Sequence, residues 1–269
     1  MRLTLAAAAI SLAFAAPALA DSATINQNGV DNYASIDQGN ADASVARIVQ
    51  TGNRNQAGSP AEGELPAVQG IRQLNATVSR ADIEQRGDDN RATIDQQNVH
   101  NSFWTRITQG ESFGSHRNFG AIVQSALTNS YAEIFVDRGN DNSARITQTG
   151  DAQTAQVVQG AYRWNGSFYE FTQTPANNNT ASIGQTGERQ NSLVNQLGDW
   201  NQGTTVQGGR WNEAFILQEG NFNTASVIQT GTGAAFADRN NARITQSGAN
   251  HAASAMQNGM GNTALINQH

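Results

Sequence analysis

The sequence predicts an all-β fold, a β-solenoid of stacked strand-turn-strand coils with about 22 residues per coil, each coil made of two 11-residue half-turns. Three observations predict it. Glutamines recur at a spacing of eleven, most plainly at Gln185, Gln196, Gln207, Gln218 and Gln229. Small and β-branched residues alternate with polar ones in the stretch before each glutamine, which is the period of a strand with one face buried. A glycine then follows two residues after each glutamine, where a reversal is needed.

Taken in order, the chain opens with Arg2, an apolar run from Leu3 to Phe14 and the small-x-small triplet Ala18-Leu19-Ala20, the pattern of a secretory leader over residues 1–20. The exported part is then residues 21–269, expected as one solenoid domain. Its apolar runs are too short for a membrane-spanning helix. Cysteine is absent and only 14% of residues are charged, so neither disulfides nor dense ion pairing holds the chain together. The sequence instead holds 30 Asn, 26 Gln and 26 Gly, and no lysine. A net charge of −6 argues against a nucleic-acid partner.

The same glutamine phase covers Gln27 and Gln38, Gln85 and Gln96, Gln148 and Gln159, and Gln246, Gln257 and Gln268, with Asp137 standing in the glutamine place one period before Gln148. Two residues on come the turn glycines Gly29, Gly87, Gly150, Gly187, Gly198, Gly209, Gly220, Gly231, Gly248 and Gly259, where positive φ is tolerated. Five residues on comes asparagine, at Asn32, Asn90, Asn201, Asn212, Asn223 and Asn262. Alanine and a β-branched residue follow, so the unit is Asn-x-Ala-x-Ile-x-Gln-x-Gly-x-x. Two places depart from it. An irregular insertion near 56–70 contains proline and glycine and is expected to bulge from one coil, and residues 97–137 run at longer spacings with Trp104, Phe113 and Phe119 among them.

Stacking identical coils places glutamine over glutamine and asparagine over asparagine, so their amides can form ladders along the axis of the kind found in cross-β assemblies. A buried amide without partners costs roughly 1–3 kcal/mol, which accounts for the strictness of the period. The first and last units match the motif with no covering segment, so open strand edges are expected at both ends, available to another copy. A solenoid that stays monomeric is the alternative from the same residues.

No catalytic, cofactor or metal site is expected. The four histidines, His100, His116, His251 and His269, show no ligand spacing, and Asp, Glu and Arg are thinly spread with no convergent set. A β-helix polysaccharide-active enzyme and a surface adhesin remain the rivals from other classes.

The motif Gln-x-Gly-x-x-Asn-x-Ala-x-x-x-Gln, standing at Gln27–Gln38, Gln85–Gln96, Gln207–Gln218, Gln218–Gln229 and Gln257–Gln268, resembles the curlin repeat of curli fibre subunits. The resemblance implies a non-enzymatic structural subunit, either the major subunit or the nucleator. It implies export, periplasmic chaperones, passage through a dedicated outer-membrane pore, and polymerisation at the cell surface with itself and a related subunit. The product would be a functional amyloid of the biofilm matrix, serving adhesion and aggregation.

Overall fold

The computed structural model describes residues 21–59, 68–102, 104–110, 115–160, 162–164, 169–172, 174–233 and 235–269. The expected leader and the middle of the insertion near 56–70 lie outside the described residues.

Two parallel sheets face each other. The first stacks ten strands, Ser22–Asn28, Val45–Thr51, Arg80–Arg86, Trp104–Gln109, Tyr131–Val136, Thr154–Gln159, Asn191–Asp199, Asn212–Asn221, Asn240–Ala249 and Thr263–Gln268, with the short Ala176–Asn177 as an eleventh paired on the end of Asn191–Asp199. The second has nine levels. Its first two are split, as Tyr33–Ala34 with Ile36–Gly39 and Gln56–Ser59 with Ile71–Leu74. The others are Arg91–His100, Phe119–Thr128, Ser143–Asp151, Thr180–Glu188, Gln202–Arg210, Thr224–Thr232 and Ala252–Asn258. The chain passes alternately between the sheets, and each strand pairs in parallel with the strand one coil away, so the architecture is the expected solenoid. The single helical element among the described residues is the short 3-10 turn Phe236–Asp238.

Register follows from the inward face. In strand after strand a small residue, a β-branched residue and a glutamine point between the sheets, as in Ala46, Ile48 and Gln50, all fully buried. A slip of one residue would send this row to the outside, so a strict register is maintained: Ile25 meets Ile48, Ile48 meets Ile83, and Ile83 meets Ile107. Each buried isoleucine contributes roughly 1.5–3 kcal/mol of apolar burial, and the core is a single continuous row of such residues from Ala46 to Ala255.

The irregular regions leave the register of the inward row intact, although a bulge between Ser125 and Leu127 shifts the pairing beyond Ser125. The insertion departs from the middle of a strand rather than from a turn: Ala57 stacks on Ala34, and Ile71 resumes on Ile36. Between them Gly58 and Ser59 pair antiparallel with Gln69 and Val68. Between 97 and 137 the extra length is taken up at the corners, where Asn98, Asn101, Ala126 and Asn129 adopt left-handed backbone, while Ile107 and Ile122 keep their inward places.

A second excursion forms the antiparallel pair Tyr162–Trp164 and Tyr169–Phe171. It lies against the outside of the first sheet, with Asn195 Nδ2 donating to the Tyr162 carbonyl at 2.9 Å and the rings of Phe135 and Tyr162 meeting edge to face at 5.2 Å. The outward-facing Val158, Leu193 and Leu217 are buried in this part of the sheet.

Candidate assembly site

The glutamines form two files, one at the end of the strands in each sheet. In the second sheet the file is unbroken: Gln38, Gln73, Gln96, Gln124, Gln148, Gln185, Gln207, Gln229 and Gln257. Each Nε2 donates to Oε1 of the next at 2.7–2.9 Å. In the first sheet Gln27, Gln50, Gln85 and Gln109 are linked in the same way. The file resumes with Gln159, Gln196, Gln218, Gln246 and Gln268.

The other Nε2 hydrogen usually crosses to a backbone carbonyl of the opposite sheet. Gln50 donates to Tyr33 O at 3.0 Å, Gln148 to Tyr131 O at 3.1 Å and Gln218 to Gln202 O at 3.0 Å. Each such glutamine thus ties its coil to the next one and its sheet to the facing one. In every ladder bond the donor lies in the N-terminal coil and the acceptor in the C-terminal one.

Asp137 does not occupy the glutamine place. Val136 does, pairing in register with Gln109 on one side and Gln159 on the other. The two residues are separated because the turn before Gln148 is one residue longer than an even spacing from Asp137 assumes. Valine cannot donate, and Oε1 of Gln159 is accordingly buried without a partner. Four file members, Gln50, Gln73, Gln109 and Gln124, fall outside the even spacing. Their signal is the Ile-x-Gln ending of each strand rather than the period.

Asparagine acts differently from glutamine. At the corner leading into the second sheet, Asn32, Asn55, Asn90, Asn118, Asn142, Asn179, Asn201 and Asn223 are stacked. Oδ1 of each accepts the backbone N–H of the residue in the same place one coil on, for example Asn32 from Asn55 at 2.9 Å and Asn201 from Asn223 at 3.0 Å. Nδ2 donates to a turn carbonyl of that coil, as Asn32 does to Gly52 O at 2.8 Å and Asn201 to Gly220 O at 2.8 Å. The expected amide-to-amide ladder is therefore mainly a clamp on the neighbouring backbone. Amide-to-amide bonds are also present, as from Asn90 to Asn55 at 3.1 Å. His251 fills the last place and donates its backbone N–H to Asn223 Oδ1.

The opposite corner, leading into the first sheet, carries Ser44, Ser79, Ser102, Ser130, Gln153 and Gln190 before Asn212, Asn240 and Asn262 take over. Gln153 and Gln190 reach the turn carbonyls with Nε2, but their Oε1 atoms are buried without partners, because the longer side chain overshoots the next backbone N–H.

The turn glycines are required where they stand. Gly187 has φ +119°, and a Cβ there would come within 2.0 Å of the Gly209 carbonyl oxygen. Gly231 differs: its backbone lies outside the left-handed region, within the strand Thr224–Thr232.

The residue before most corner asparagines is also left-handed, although seldom glycine; Arg239, before Asn240, is extended with φ −63°. Asp31, Arg54, Asp89, Arg117 and Asp141 all have φ of 54–59°, and Trp200 and Phe222 continue the stripe at 60° and 59°. Arg54 makes a bidentate pair with Asp89 at 2.7 Å, and Arg117 with Asp141. These hydrogen bonds hold both carboxyls below the usual carboxylate range. The Trp200 and Phe222 rings lie parallel, 6.3 Å apart and half exposed.

A family model described as the curlin associated repeat matches residues 198–231 and 237–269. Residues 198–269 thus carry the curlin repeat. The match covers the coils in which both corners carry asparagine, with His251 as the one exception. The N-terminal coils keep the same isoleucine and glutamine rows but replace one corner with serine or glutamine and lengthen several turns. Comparison with curated proteins finds no match. The repeat and the solenoid fit a curli-type structural subunit.

Proposed function

We propose that this chain is a secreted subunit that assembles end to end into an extracellular amyloid fibre, its leader being removed after Ala20. The observation that carries the proposal is the condition of the glutamine files at the two ends. Among the described residues nothing donates to Oε1 of Gln27 or Gln38, while Gln257 and Gln268 spend one Nε2 hydrogen on the carbonyls of Asn241 and Ala252 and have one left over. Acceptors at one end and donors at the other match a second copy, and the strand edges beside them supply the backbone pairing. The chaperones, outer-membrane pore and partner subunit implied by the curlin resemblance belong to this proposal, as do biofilm and adhesive roles.

The test is to dilute residues 21–269 from denaturant and follow thioflavin fluorescence with and without preformed fibre, then record diffraction from the product. Seeding that removes the lag, with reflections near ~4.7 and ~10 Å, is expected. A lasting soluble monomer with β-type circular dichroism would overturn assembly and leave the monomeric solenoid.

A further inference from the structure

Both described ends of the solenoid lie in the same sheet. Ser22–Asn28 and Thr263–Gln268 belong to the first sheet, which has ten levels against nine in the second. The described strands therefore make nineteen half-turns, an odd number. We propose that successive copies in the fibre are rotated by an extra half-turn about the long axis, so that the first sheet of one copy continues the second sheet of the copy before it. This rests on the end-to-end assembly proposed above.

Without the rotation, Ser22–Asn28 would stack on Thr263–Gln268, and the other sheet would be left short. Its next strand, Ile36–Gly39, would sit two levels above Ala252–Asn258, roughly 9.6 Å away instead of ~4.8 Å. A one-strand slot would open, with a row of N–H and C=O groups on each side lacking partners, and such unmade backbone bonds are costly.

With the rotation every level is filled. Ser22–Asn28 falls on Ala252–Asn258, and Ile36–Gly39 falls on Thr263–Gln268. The residue match is complete where it matters: Gln27 lands on Gln257, Gln38 on Gln268, Ala23 on Ala253 and Ile36 on Ile266. The connecting turns also agree, since Gly29 to Asn32 and Gly259 to Asn262 have the same length. The spare donors of Gln257 and Gln268 then meet the open acceptors of Gln27 and Gln38. Such an exchange of sheets is possible because strands of both sheets carry the same inward row, so a strand from either fits either column.

Cross-linking tests this, and the absence of native cysteine makes it clean. In the rotated joint Thr24 neighbours Ser254; in the unrotated joint Thr24 neighbours Leu265. Adjacent in-register strands hold Cα atoms ~4.8 Å apart, inside the range a disulfide accepts. Fibres of T24C/S254C and of T24C/L265C are assembled reduced, oxidised, dissolved in denaturant and run on a non-reducing gel. A covalent ladder from T24C/S254C, with T24C/L265C remaining monomeric, is expected. The reverse pattern overturns the half-turn while leaving assembly standing. If the unmodified chain forms no fibre at all, assembly itself fails and the half-turn with it. Should the cysteine variants not assemble, electron cryo-microscopy of unmodified fibres decides. A rise of about 46 Å per subunit, nine and a half levels, with the two sheets exchanging at each boundary is expected; sheets running straight through with a one-strand hole would overturn the proposal.

Discussion

The two glutamine files contain the same side chain in the same role, yet one is continuous over nine levels and the other is interrupted by Val136. The interruption does not disturb the backbone: Tyr131–Val136 pairs in register on both sides. Its effect is confined to amide chemistry, where Gln159 Oε1 is left buried without a donor. The difference teaches that isoleucine and alanine rows suffice to keep the coils in register, and that the amides add to this a requirement that each member have a neighbour of its own kind.

The largest effect is expected from breaking the intact file. Gln148→Leu strips Gln185 Oε1 of its donor and Gln124 Nε2 of its acceptor, and should lower stability by roughly 2–5 kcal/mol, read as a fall in the denaturant midpoint. Gln159→Leu, in the file already interrupted, should cost about half as much, since it breaks one ladder bond, to Gln196, and removes an acceptor that had no partner. Equal losses from the two variants would remove the distinction between the files. Val136→Gln should repair the first file, raising stability by about 1 kcal/mol by the same measurement, with no gain expected from the same change placed on an outward position.

The smallest expected effect is electrostatic. Asp89 and Asp141 have depressed carboxyl pKa values, so their pairs with Arg54 and Arg117 contribute stability that is fully present above the unfolded carboxylate value of about 3.9 and is lost as pH falls through the lower folded value. Both pairs are exposed, and the contribution is slight. A double variant D89N/D141N should be slightly less stable than the parent at neutral pH and converge with it below about pH 4, giving a shallower acid limb in a stability profile.

The solenoid was legible because its inward row repeats, and the run from Gln185 to Gln229 has the spacing of ideal half-turns. Gln50, Gln73, Gln109 and Gln124 were hidden by turns and excursions of unequal length, which displace a residue in sequence without displacing it in space. The place of Val136 was obscured for the same reason, Asp137 being the residue that even counting selects. Legibility was poorest at the corners. Arginine, tryptophan and phenylalanine are not turn formers by habit, and they accept left-handed backbone here because the following asparagine is clamped to the next coil. The choice of backbone N–H over amide as the partner of asparagine Oδ1 depends on side-chain length, which a repeat pattern does not encode. The failure of Gln153 and Gln190 at the facing corner shows the same dependence.

The common direction of the glutamine bonds has one more consequence. Because each Nε2 faces the C-terminal coil and each Oε1 the N-terminal one, the side-chain dipoles of both files add rather than cancel, as peptide dipoles add along a helix. The rod is thus electrically vectorial, and a filament that keeps this direction has two chemically unequal tips, which would capture incoming subunits at different rates.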